Sequence, residues 1–170
     1  MRTPITGWYV VYTRPRHEKK VAEHLSALSI VNFLPTTRIL RVWNDRKKYV
    51  DSPLFPSYVF VYLENMETYC KILSLEGVLY YVRTGKEVVK VKEEIIHNIS
   101  LILKGTSDIE ISDEYFQPGE QVMISDGVLC GLVCEVVEIK GTKKILVRMN
   151  VLQKNILVAV PSEYLTAIPA

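Results

Sequence analysis

The chain has 170 residues, 48% of them hydrophobic and 24% charged, a balance that supports a buried core and excludes the low-hydropathy composition of disordered chains. No run approaches the roughly 18 apolar residues of a membrane span, and the start Met1-Arg2-Thr3-Pro4 lacks the apolar stretch of a signal peptide, so a cytoplasmic protein without a membrane partner is expected. The net charge of +2 divides unevenly: residues 1–104 carry 16 Lys/Arg against 10 Asp/Glu and residues 105–170 carry 5 against 9, so the two parts are expected to meet different partners.

In chain order, Trp8-Tyr9-Val10-Val11-Tyr12 is rich in aromatic and β-branched residues and reads as a strand. From about His17 to Leu28, Val21, Leu25 and Leu28 recur at helical spacing among Arg16, Lys19, Lys20, Glu23 and His24. Residues 38–43 and 47–51 form a strand pair around the basic tip Asn44-Asp45-Arg46. After Pro53-Leu54-Phe55-Pro56-Ser57, residues Tyr58 to Leu63 make a strand that is apolar on both faces: Tyr58, Phe60 and Tyr62 on one, Val59, Val61 and Leu63 on the other. The aliphatic face suits packing against helices, whereas the aromatic face suits either a core or a docking surface. A helix near 67–75, a strand near 79–82 and a helix near 92–104 follow, the last with the stripe Ile95, Ile96, Ile99, Ile102 and Leu103 and with Gly105 at its C-terminal cap.

Alternating helices and strands over 1–105 indicate an α+β sandwich, an antiparallel sheet with helices against it. Residues 106–117 carry Asp108, Glu110, Asp113 and Glu114 without periodicity and are read as an acidic linker. In 118–170 only strand patterns remain, at 121–125, 132–139, 144–150, 155–160 and 164–168. Five short strands in about fifty residues bury a core most economically as a small barrel. The β-branched content of 145–160 favours strands there over helix.

Sites for covalent chemistry are not found. His17, His24 and His97 are scattered, and neither a GxxxxGK[ST] nor a GxGxxG run is present. Cys70, Cys130 and Cys134 lack disulfide or zinc spacing and are read as buried, reduced small hydrophobes. The expectation is a binding protein without catalytic residues, metal or cofactor.

The series Trp8-Tyr9-Val10-Val11, basic helix, Pro53-Leu54-Phe55-Pro56-Ser57-Tyr58-Val59-Phe60-Val61 and Glu76-Gly77-Val78 resembles the amino-terminal domain of the NusG/RfaH-like family of transcription elongation and antitermination factors. Gly119-Glu120-Gln121-Val122 followed by Asp126-Gly127 resembles the start of a KOW β-barrel domain. The short length and missing inserts look most like the operon-specific paralogues, including those of capsule-polysaccharide operons.

The resemblance implies a monomer that binds the clamp helices of the largest RNA polymerase subunit and reduces pausing and termination. The polymerase-binding patch of the family matches Tyr12, Phe55, Tyr58 and Phe60. Arg14, Arg16, Lys19, Lys20 and His24 lie on the side implied to face non-template DNA, while Leu75 and Glu76 stand where RfaH has a polar and a basic residue. Leu129, Leu132, Val151 and Leu152 match positions where the barrel meets a small-subunit ribosomal protein or Rho. The residues themselves leave two other classes open: an RNA-binding or ribosome-associated KOW protein, and an enzyme with an unfamiliar site.

Overall fold

The computed structural model describes residues 6–42, 45–105, 109–115, 119–127, 129–139, 142–149, 152–160 and 162–168. The chain divides into two compact units, Met1–Ile96 and His97–Ala170.

The first unit begins with β1 (Gly7–Thr13), α1 (Glu18–Ala27), β2 (Asn32–Phe33), β3 (Thr36–Val42), β4 (Lys47–Pro53) and β5 (Tyr58–Leu63). It continues with α2 (Met66–Leu73), β6 (Val78–Tyr81), β7 (Arg83–Thr84), β8 (Glu87–Val88) and β9 (Lys90–Val91). The division falls inside α3 (Glu93–Gly105), where Ile96, Ile99 and Ile102 are buried as one stripe; Gly105 is the last residue of this helix rather than a cap beyond it.

The main sheet is antiparallel in the order β2-β5-β1-β6, with β9 also paired to β1. Tyr9 and Val11 of β1, Val59, Val61 and Leu63 of β5, and Tyr81 of β6 form one core with Val21 and Leu25 of α1 and Ile72 of α2. The aliphatic face of Tyr58–Leu63 therefore packs against helices. Helix α2 starts where Asn65 accepts the Thr68 N–H at 2.9 Å, satisfying a backbone donor that the helix leaves unpaired. Among the described residues β3 and β4 pair only with each other and stand as a separate two-stranded hairpin.

The second unit contains β10 (Ile109–Ser112), β11 (Glu120–Ile124), β12 (Val133–Ile139), β13 (Thr142–Met149), β14 (Lys154–Ala159), a 3-10 turn (Ser162–Tyr164) and β15 (Leu165–Ala167). Its sheet runs β10-β14-β13-β12-β11-β15. All five strands expected in 118–170 are present, and the sheet-rich unit is consistent with a KOW β-barrel.

The sixth strand, β10, lies inside the segment read as a linker. Ile109 and Ile111 bracket Glu110, so this stretch is a short alternating strand as well as an acidic one, and it lines up with β14 from Ile109↔Val158 to Ser112↔Asn155. Lys144 pairs with Glu110, Lys154 reaches Asp113 at 2.6 Å, and Asn155 donates to the Glu114 carbonyl at 2.8 Å.

Candidate functional site

On the face of the main sheet opposite the helix-covered core, β1 and β5 put Trp8 against Tyr62, Val10 against Phe60 and Tyr12 against Tyr58 in direct register. The Tyr12 and Tyr58 rings meet edge to face at 5.2 Å, and Tyr80 of β6 stacks on Tyr12 at 5.1 Å and 14°. Both are favoured geometries for aromatic quadrupoles. Tyr80 is 52% exposed and its neighbour Leu79 46%, while Tyr12 and Tyr58 are half-buried.

The four aromatics singled out in the sequence thus divide. Tyr12 and Tyr58 lie on an accessible row, whereas Phe55 and Phe60 have 0% exposure and meet each other at 6.2 Å. Alternation assigns Phe60 to the aromatic face but says nothing of its place across the sheet. Phe60 sits on an interior strand between Val10 of β1 and Phe33 of β2, and those neighbours enclose it. Tyr80 was not singled out; its signal is the Leu79-Tyr80-Tyr81 run, in which Tyr81 is core and Tyr80 faces the other way.

The turn before β5 is tied to the start of α1. Ser57 adopts a left-handed backbone (φ 67°), donates its N–H to the Glu18 carboxylate at 2.7 Å, and accepts the Thr13 N–H on its carbonyl at 2.8 Å. Glu18, buried although ionisable, was not singled out in the sequence. Its carboxylate takes a backbone donor that the turn would otherwise bury unpaired. Arg14 donates its N–H to the Gly77 carbonyl at 2.8 Å, which fixes the cationic loop to the turn ahead of β6.

From that framework Arg14, Arg16, Lys19 and Lys20 extend as exposed side chains, with His24 half-buried on the same helix. Glu76 reaches into the set: its carboxylate pairs with the Lys20 ammonium at 2.9 Å, and the Lys20 hydrogen bond and charge hold its pKa below the usual value. One of the four Lys/Arg cations is therefore partly neutralised within the fold.

In the second unit, Leu129, Leu132 and Leu152 are buried, with exposures of 7%, 1% and 7%, so they are core side chains rather than a presented surface; Val151 lies outside the described residues. A small sheet needs its large aliphatics inside, and these three serve that need. Accessible apolar side chains among the described residues of this unit include Tyr115, Met123 and Val133, the last two directly paired between β11 and β12, and Ile168 just after β15. Glu135 and Arg148 form a bidentate pair with both contacts at 2.8 Å, and Glu135 also accepts the Gly119 N–H at 3.1 Å. The Arg148 hydrogen bond, followed by the Gly119 amide, holds the Glu135 carboxyl below its ordinary range.

The cysteines are free, but only Cys134 is buried, where desolvation pushes its thiol up to about 11; Cys70 and Cys130 are exposed. Small size lets a cysteine occupy either environment, and these two lie on the solvent side of α2 and in the turn before β12. Among the described residues no group of three or more His, Cys, Asp or Glu is placed to hold a metal, and no helix is long and apolar enough to cross a membrane.

Residues 6–100, more than half of the chain, match the family model described as transcription termination factor NusG. The transcription termination/antitermination protein NusG of Chlamydia trachomatis is 29% identical over 153 residues, covering 82% of this chain and 84% of that protein. Its counterpart from Lactococcus lactis is 30% identical over 150 residues, covering 81% and 80%. The solved structure of Thermotoga maritima NusG shares the fold at a TM-score of 0.51 and 22% identity, over 97% of this chain and 98% of that one. On a family-model match over residues 6–100 and a 30% identical relative that covers 81% of its length, this chain belongs to the NusG family.

Proposed function

We infer that this protein is a transcription elongation and antitermination factor of the cytoplasm that binds RNA polymerase through its first unit, at the clamp helices of the largest subunit, and lowers pausing and termination on specific operons. The observation that carries this reading is the row Tyr80–Tyr12–Tyr58: ring-to-ring packed aromatics, exposed at Tyr80 and half-buried at Tyr12 and Tyr58, on a sheet braced by a core on its other face. Rigid aromatic anchors dominate protein interfaces because they bury a large area at little entropic cost. Phe55 and Phe60 act in this reading as the buried support of the row, and Tyr12 and Tyr58 as its contacts.

The mechanism is differential binding. A factor that holds the closed clamp about 1.4 kcal/mol more tightly than the open or backtracked state changes their ratio tenfold. Arg14, Arg16, Lys19, Lys20 and His24 contact phosphates of the non-template strand, a contribution that weakens with salt. The second unit recruits a small-subunit ribosomal protein or Rho, and the pair Met123–Val133 with Ile168 supplies its accessible apolar contact.

An elongation assay over a pause and a terminator, with and without the protein, tests the reading. Shorter pause lifetimes and more read-through are expected. Unchanged pausing and termination across templates, including the protein's own operons, contradict it.

A further inference from the structure

Strand β10 stands at the end of the second unit's sheet, paired with β14 on one side and, among the described residues, with no strand on the other. It is four residues long and none of them is buried, whereas Ile156, Leu157 and Val158 of β14 are 0%, 1% and 1% exposed. β14 is held independently by β13, through six paired positions from Lys144↔Ala159 to Met149↔Lys154. The sheet therefore keeps β14 in place without β10, and a short, half-exposed edge strand belongs to the low-stability end of a fold.

Besides its ladder, β10 and the residues just after it are tied down by the Asn155 hydrogen bond to the Glu114 carbonyl and by two ion pairs. Glu110 pairs with Lys144 and Asp113 with Lys154; the two carboxylates are 57% and 73% exposed and the two lysines 24% each. Ion pairs with a partner this exposed contribute about 0–1 kcal/mol each and weaken as salt screens them.

The register states what else fits this edge. Ile109 and Ile111 lie opposite Val158 and Ile156, Glu110 lies opposite Leu157 and meets Lys144, and Asp113 follows to meet Lys154. The unpaired N–H and C=O groups of a strand edge accept any extended chain. The two ammonium groups are selective: they favour a chain with apolar residues at its first and third positions and carboxylates at its second and fifth, and a basic chain is repelled.

We propose that the β14 edge is a binding site for an extended, acidic segment of a partner protein, and that β10 is its internal occupant, which leaves when the partner's segment pairs with β14. The site lies at the other end of the strand order from β15, uses neither Met123 nor Val133, and does not depend on polymerase binding. Because β10 belongs to the same chain, it holds the partner off while it is in place. An edge that is open about a tenth of the time weakens the apparent affinity about tenfold.

The probe is a fluorescein-labelled peptide with the sequence of residues 109–115, Ile-Glu-Ile-Ser-Asp-Glu-Tyr, followed by anisotropy as the full chain is added. Glu110→Lys with Asp113→Lys sets like charges against Lys144 and Lys154 and frees the edge, so this variant is expected to bind the peptide about tenfold or more tightly than the parent. A peptide carrying the same two substitutions is expected not to bind. Hydrogen exchange of the parent needs no variant: the β10–β14 amides should exchange faster than the β13–β14 amides. They should exchange faster again as sodium chloride rises from about 0.01 M to about 1 M, where the screening length falls from about 30 Å to about 3 Å. Equal peptide affinity in parent and variant, no binding to the folded variant, binding of the charge-reversed peptide, or equal protection of the two ladders overturns the proposal. So does loss of cooperative unfolding of the second unit in the variant, which would make β10 part of that unit's core.

Discussion

The buried carboxylate of Glu18 accepts the backbone N–H of Ser57 at 2.7 Å, joining the first turn of the basic helix to the proline turn that launches the aromatic strand. Because the donor is a buried backbone group, its loss is costly in a way that a surface contact is not. Glu18→Ala leaves the Ser57 N–H without this acceptor and is expected to cost about 1–3 kcal/mol in urea unfolding. Glu18→Gln keeps an acceptor oxygen and should lose less. Equal stability of Glu18→Ala and the parent would show that the bond contributes nothing net.

Burial separates two aromatics that the residue pattern treats alike. Phe60→Ala empties a fully enclosed site and is expected to cost about 3–5 kcal/mol. Tyr80→Ala, at an exposed position with one stacking partner, is expected to cost about 1 kcal/mol or less. Chemical denaturation of both variants checks the order; a reversal would mean that the sheet face is packed differently.

Gly77 has φ +96°, and a Cβ there would lie 3.1 Å from Val21 Cγ2 and 3.2 Å from His17 Cβ. Gly77→Ala therefore meets both left-handed backbone strain of about 1–2 kcal/mol and crowding against α1. A lowered melting temperature is expected, together with perturbed amide resonances around Arg14, whose N–H bonds to the Gly77 carbonyl.

The Glu135–Arg148 pair gives the second unit an acid-sensitive element. Its hydrogen bonds lower the Glu135 pKa in the folded state relative to the ordinary value of 4.5. The stability it contributes is thus fully present above that unfolded value and is lost as pH falls through the lower folded value. Melting temperatures at about pH 7 and about pH 3 should differ less in Glu135→Gln than in the parent, because the substituted side chain has no proton to take up. An identical pH dependence in the two proteins would remove the pair as a source of acid sensitivity.

Much of the architecture is legible from periodicity. The period-two pattern of Tyr58–Leu63 separates helix-facing aliphatics from aromatics, and the strands of the second unit follow their β-branched residues. Three features are not legible for physical reasons. The two-residue strands β2, β7, β8 and β9 are too short to show a period and exist because a partner strand is there. β10 hides under Glu110 within it and Asp113 just after it, whose charges are answered by Lys144 and Lys154 on other strands. The burial of Phe55, Phe60, Leu129, Leu132 and Leu152 depends on which neighbours enclose them, information carried by the fold and not by local spacing. Glu18 belongs with them, since a carboxylate in a basic helix reads as surface until the Ser57 amide comes to it from 39 residues away.

The central claim is that polymerase docks on the aromatic row, and the affinity of core RNA polymerase for the full chain measures it most directly. Biolayer interferometry should show Tyr12→Ala with Tyr80→Ala weakening binding tenfold or more, about 1.4 kcal/mol. Parent-like affinity in a folded Tyr12→Ala, Tyr80→Ala protein would contradict the account.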